Sequence, residues 1–188
     1  MEQKVVIKKI VAIGPESTGK SRLCEMLSDH FHTTWVPEYA REYLVTNGTH
    51  YTLNQLNDIA DGQIKAEDSI LQQFTETSRT LPKKVLPVFI DTDMYVMKVW
   101  SEFVFNQCNN AILNKIVNRQ YDLYLLCKPD APWVKDELRE YPDLESREKL
   151  FHYYKDAMIN QAVPWVEISG SYEERFETAV MATEKLLH

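Results

Sequence analysis

The sequence predicts an α/β fold, a five-stranded parallel sheet with helices on both faces and a lid loop. Three observations carry that expectation. Five short runs rich in β-branched and other apolar residues are spread along the chain, each of strand length. The stretches between them repeat apolar residues at helical spacing, and strands alternating with helices form parallel sheets. The chain has 188 residues, 44% of them apolar, which fills one core and leaves little room for a second. A single domain over residues 1–188 is therefore expected, with its lid at about 130–150.

Taken in order, Val5–Ile13 is β-branched and stops at Gly14, as a buried parallel strand does. Gly19–Phe31 sets Leu23, Met26, Leu27 and His30 on one helical face. Thr33–Val36 is a short second strand closed by Pro37, and Glu38–Val45 suits a helix. Leu53–Phe74 is a long helix with Leu53, Leu56, Ile59, Ala60, Ile64, Leu71 and Phe74 near one stripe. Gly62 inside it costs about 1 kcal/mol against alanine and marks a place for a kink. Thr75–Lys84 is polar and reads as a surface connection. Val85–Ile90 is the third strand and stops at Asp91; Met94–Phe105 and Ala111–Arg119 are helical; Leu123–Cys127 is the fourth strand. Asp130–Ser146 has prolines and mixed charge and reads as a loop. Arg147–Gln161 is a helix, Trp165–Ile168 the fifth strand and Tyr172–Leu187 the last helix. Ligands of such sheets bind beyond the carboxyl ends of the strands, so the residues just after each strand are the candidates for chemistry.

Acidic residues outnumber basic ones 28 to 21, giving a formal net charge of −7. That excludes a general nucleic-acid binder, which carries a basic face. An anionic ligand would need a local basic cluster. Cys24, Cys108 and Cys127 are far apart and lack metal-site spacing, so they read as reduced thiols of a cytoplasmic protein. The first residues do not resemble a signal peptide, and no apolar run approaches the ~20 residues of a membrane span. The histidines show no ligand spacing; Phe151, Tyr153 and Tyr154 read as helix packing.

After the first strand comes Gly14-Pro15-Glu16-Ser17-Thr18-Gly19-Lys20-Ser21, which fits GxxxxGK[ST], the P-loop. Glycines let the backbone curl so that successive N–H groups face phosphate oxygens, and the helix start adds its positive end. Lys20 reaches the β and γ phosphates, the Ser21 hydroxyl is a magnesium ligand, and Arg22 follows beside them. The fold class sharpens accordingly to P-loop NTPase, with ATP and Mg2+ as expected cofactors.

The other strand ends offer two readings each. After the second, Glu38, Tyr39 and Arg41 sit at a helix start. Glu38 suits a substrate hydroxyl and Arg41 a phosphoryl group; the plainer reading is a solvated Glu–Arg pair. The third ends Asp91-Thr92-Asp93, where one acid holds magnesium or acts as base and one caps the next helix, either in either role. After the fourth, Trp133 suits stacking on a flat, cationic ring, and Arg139 and Arg147 suit lid arginines; loop packing and surface charge are the alternatives. After the fifth, Gly170 and Tyr172 suit a base pocket, against a simple loop with Ser171 as helix cap. Lys20, Arg41, Arg139 and Arg147 are then the basic residues expected to converge on one cleft.

GPESTGKS, PEYAREY, FIDTD, PWVKDELR and VEISGSYEERF, in that order, resemble the ribosylnicotinamide kinase domain of the NadR family over nearly the whole chain. The resemblance implies a nucleoside-kinase-like P-loop NTPase fold and an ATP- and magnesium-dependent kinase acting on the 5′ hydroxyl of nicotinamide riboside. It implies Gly14–Ser21 on the ATP phosphates, and Glu38 and Arg41 beside the substrate. Asp91 and Asp93 would lie near ribose or magnesium, Trp133 and Asp136 on the pyridinium riboside, and Arg139 in the lid. The family's loop typically reads WVDDGLR. Here Lys135 and Glu137 replace the first Asp and the Gly, and EYPDLES extends the loop. Longer members carry an adenylyltransferase domain and a DNA-binding segment upstream, so this chain alone is expected neither to make NAD nor to repress transcription. A kinase for another nucleoside or vitamin, and an ATP-gated regulator, are the competing functions.

Overall fold

A computed structural model describes residues 5–80, 85–131 and 143–188. The strands are β1 (Val6–Ile13), β2 (Trp35–Val36), β3 (Val85–Asp91), β4 (Leu123–Cys127) and β5 (Trp165–Ile168). They form one parallel sheet in the order β2-β3-β1-β4-β5. The chain lays β2 and β3 on one side of β1 and β4 and β5 on the other. β1 is thus where the winding reverses, the place where such sheets bind ligands.

The helices are α1 (Lys20–Phe31), α2 (Tyr39–Asn47), α3 (Leu53–Thr77), α4 (Met94–Phe105), α5 (Asn110–Asn118), α6 (Leu144–Ile159) and α7 (Tyr172–Leu187). Side chains alternate across the sheet with the period of two that strands impose. Ile10 and Ala12 of β1, Phe89 of β3 and Leu125 of β4 pack with Leu23, Leu27 and Ala179 of α1 and α7. Val11, Ile13, Val88, Ile90, Tyr124 and Leu126 pack the other way, against α3, α4 and α6. All these strand residues are buried, as expected of a parallel sheet covered on both faces.

The expected elements form, with three differences. Thr75–Lys84 is not wholly a connection: α3 runs on to Thr77 and closes in a 3₁₀ turn at Ser78–Thr80. Gly62 makes no break in α3. The position where its Cβ would stand is taken by the Tyr39 ring, 1.9 Å away, so the glycine makes room for α2. The loop read from Asp130 to Ser146 ends early. Asp143 caps α6 by accepting from the Ser146 N–H (2.7 Å), and Leu144–Ser146 are already helical. Four of the seven residues of the EYPDLES extension therefore belong to a helix start. Among the described residues no helix is long and apolar enough to cross a membrane.

Candidate active site

β1 ends at Ile13 and the chain curls through Gly14 at φ +139°. A Cβ there would lie 2.4 Å from the Cys127 carbonyl oxygen, so only glycine lets the loop leave β1 this close to β4. Ser17 (φ +58°) and Gly19 (φ +78°) are also left-handed. Two side chains converge on the Pro15 carbonyl: the Thr18 hydroxyl at 2.8 Å and the Lys20 ammonium at 2.9 Å. Gly19 is the N-cap of α1 and offers no side-chain cap, so the first N–H groups of that helix face the loop's concave side.

Arg175 of α7, almost wholly buried, holds the loop from behind. Its guanidinium donates to the carbonyls of Thr18 (3.1 Å), Lys128 (2.9 Å) and Gly170 (2.8 Å), and pairs with Asp130. Five donors in a rigid fork suit one side chain to three loops.

Asp91 ends β3 against this loop. One carboxylate oxygen accepts from the Ser21 hydroxyl at 2.5 Å; the other, Oδ1, is buried with no hydrogen-bond partner. Glu38 is the N-cap of α2, yet its side chain makes no capping bond. Burial first, and the Asp91 charge second, push the Glu38 carboxyl up to about 7, while Lys20 and Arg41 oppose the rise. Burial also raises Asp91, against Lys20 and the Ser21 hydrogen bond. Each of these two carboxyls, Glu38 half-buried and Asp91 buried, sits where ionisation is disfavoured.

These groups border a cavity of about 440 Å³. One wall is the phosphate loop with Lys20, Ser21 and Asp91; the other is apolar and aromatic, from Trp35, Tyr51, Leu56, Ile59, Met97 and Trp100. The cavity brings together Gly14, Glu16, Ser17, Thr18, Gly19, Lys20, Ser21, Arg22, Glu38, Arg41, Asp91 and Tyr172 from among the expected site residues.

Others lie elsewhere. The Pro15 carbonyl is used within the loop. Tyr39 turns its ring to Gly62 and its N–H to Gln63. Asp93 takes the capping role: it accepts from the Tyr95 N–H (2.9 Å) and the Tyr124 hydroxyl (2.7 Å), away from the cavity wall. Gly170 is engaged internally, its N–H by Asp130 (2.8 Å) and its carbonyl by Arg175, and Ser171 caps α7. Arg147 stands in the first turn of α6, 5% exposed, outside the cavity lining, so of the three described basic residues expected to converge the cavity holds Lys20 and Arg41. Trp133, Lys135, Asp136, Glu137 and Arg139 lie outside the described residues.

Sequence reasoning missed Arg175, Gln63 and the wall aromatics Trp35, Tyr51 and Trp100. Only Gln63 had left a local signal: it falls on the buried stripe Leu56, Ile59, Ala60, Gln63, Glu67 of α3, a polar residue where an apolar one is expected.

A family model described as an AAA domain matches residues 9–175. The chain belongs to that family. Over 96% of its length this AAA-domain chain is 23% identical to the trifunctional NAD biosynthesis/regulator protein NadR of Escherichia coli (strain K12), and it spans 43% of that relative. Its fold is that of a solved NadR protein in complex with NR: TM-score 0.74, 20% identity, 96% of this chain and 49% of the other. It is also that of thymidylate kinase from Ehrlichia chaffeensis: TM-score 0.65, 14% identity, 95% and 99% of the two chains.

Proposed function

We propose that this chain is an ATP-dependent small-molecule kinase that phosphorylates the 5′ hydroxyl of nicotinamide riboside to give nicotinamide mononucleotide. The observation that carries this reading is the single cavity in which a phosphate loop and an aromatic-walled chamber meet at two carboxylates. A nucleotide switch has no need of the second chamber. The likeness to a NAD biosynthesis protein, NadR, and to a solved NadR in complex with NR supports nicotinamide riboside as the acceptor.

In this reading the N–H groups at the start of α1 and the Lys20 ammonium hold the ATP phosphates. The Lys20 bond to Pro15 leaves further ammonium hydrogens for phosphate oxygens. Glu38 accepts a hydrogen bond from the acceptor hydroxyl and orients it, while Asp91, beside the Ser21 hydroxyl, is left for the metal. A carboxyl near neutrality suits that role at working pH. Arg41 meets the phosphoryl group, and the aromatic wall takes the ring and excludes water. An indole face suits a pyridinium cation.

The residues also fit magnesium. Asp91 Oδ1 is a buried acceptor without a partner, beside the Ser21 hydroxyl. Among the described residues no three acidic, histidine or cysteine side chains could hold a metal alone, and Mg2+ habitually completes its shell with water and substrate phosphates. Ser21 and Asp91 would hold it; when bound, it neutralises charge on the phosphate oxygens.

The test is to incubate the chain with ATP, Mg2+ and nicotinamide riboside and to measure the mononucleotide against a Lys20→Ala control. Product no greater than the control refutes the reading. A panel of other nucleosides separates the acceptor from the reaction: stronger turnover of one without a pyridinium moves the assignment to that nucleoside.

A further inference from the structure

Gln63 is 1% exposed and does not line the cavity. Its Oε1 accepts from the Tyr39 N–H at 2.7 Å. That contact fixes the amide's orientation, because the oxygen must face the donor and the NH2 must face acceptors. The NH2 donates to the Pro37 carbonyl at 3.4 Å and to the Asp91 carbonyl at 3.5 Å, both long bonds. One side chain thus grips the residue before Glu38 and the residue after it, and reaches the backbone of Asp91 as well. The neighbouring Gly62 seats the Tyr39 ring, so adjacent residues of α3 hold both ends of Tyr39. Glu38 projects from between two anchored neighbours, faced by Asp91, Lys20, Arg41, Glu16 and Tyr154. A neutral amide can donate and accept there without adding a charge to that group.

We propose that Gln63 is a positioning residue, which sets the distance between the Glu38 and Asp91 carboxylates and hence the place of the acceptor hydroxyl relative to the phosphoryl group. This rests on the reading of Glu38 as the residue that orients the acceptor.

Two variants test it. Gln63→Met keeps the length and removes every polar contact. Gln63→Glu keeps an acceptor for the Tyr39 N–H and, when ionised, has no donor for the Pro37 and Asp91 carbonyls. Three quantities are read: hydrogen exchange at the Tyr39 amide, the ratio of phosphoryl transfer to ATP loss to water, and KM for ATP. In Gln63→Met, Tyr39 exchange rises about tenfold or more while α1 amides are unchanged. The transfer ratio falls about 10- to 100-fold with KM for ATP within about twofold, as expected when a reacting group is misplaced by a fraction of an ångström. Gln63→Glu keeps Tyr39 protected and loses less of the ratio. Unchanged exchange at Tyr39 in folded Gln63→Met overturns the proposal, as does a loss of transfer matched by an equal loss of hydrolysis. If Gln63→Met does not fold, Gln63→Glu decides: a ratio within about twofold of wild type is against it. A wild-type chain that phosphorylates no acceptor refutes the kinase reading instead, and the exchange at Tyr39 still decides whether Gln63 is a clamp.

Discussion

α3 borders two clusters of buried acids that are built in opposite ways. One turn beyond Gln63, Glu67 has the Tyr121 hydroxyl on one oxygen at 2.9 Å, and its other oxygen, though in no hydrogen bond, is ion-paired to two cations, Arg119 at 2.7 Å and Lys9 at 3.6 Å. At the cavity, Asp91 has the Ser21 hydroxyl on one oxygen and nothing on the other, and Glu38 makes no capping bond. Burying a charge costs several kcal/mol unless partners surround it. Glu67 has those partners within the fold and ties α3 to β1 and to the segment before β4. Asp91 lacks them, and a buried acid kept short of partners is one whose partner arrives from outside.

That contrast predicts mutations of opposite kind. Asp91→Asn should lower phosphoryl transfer about 100- to 1,000-fold, the scale for losing one electrostatic contact to a transferring group, with no fall in melting temperature. Initial rates and a thermal melt on the same sample check both halves. Glu67→Ala should do the reverse. It leaves Arg119, mostly buried, with only the exposed Asp68 as its ion-pair partner, which should cost about 1–3 kcal/mol in a denaturant titration, while ATP affinity stays within about twofold. A variant of either acid that loses both properties equally would erase the distinction. Gly62→Ala lies between the clusters. Its better helix propensity, about 1 kcal/mol, is set against a Cβ 1.9 Å from the Tyr39 ring, so a net loss of about 1 kcal/mol and a severalfold fall in transfer are expected.

The smallest effect is spread over pH. Burial pushes the Asp93 carboxyl up from 3.8 to about 7, against its hydrogen bonds from Tyr124 and Tyr95. The folded chain therefore holds a proton that the unfolded chain releases near pH 4. Stability from this group is fully present below about pH 4 and is lost as pH rises through about 7. Melts of the nucleotide- and magnesium-free protein should show that decline, and Asp93→Asn should flatten it.

How much of this was legible in the sequence depends on the range of the interaction. The phosphate loop, the strand before it and the helix after it are local, and Gly14 to Ser21 announce them. Strand ends are local too, so Asp91 and Glu38 stood out. The division of labour between Asp91 and Asp93 was not legible, because the Tyr124 hydroxyl that occupies Asp93 comes from another strand. Gly170 looked like a base-pocket glycine, yet Asp130, 40 residues earlier, takes its N–H. Asp143 to Ser146 were read as loop because prolines and mixed charge hide a helix start, although Asp143 was there to cap it. Arg175 resembles any charged residue of a solvated helix face until three loops are folded around it.

That arginine has a consequence for synthesis. The curl that receives phosphate spans residues 14 to 21, near the beginning of the chain, yet a carbonyl within it is held by a side chain 157 positions later. Nucleotide binding should therefore appear late as the polypeptide leaves the ribosome, only after α7 has emerged and docked. A nascent chain that stops short of α7 would carry the whole signature without the side chain that holds it, so nucleotide capture reports that α7 has docked.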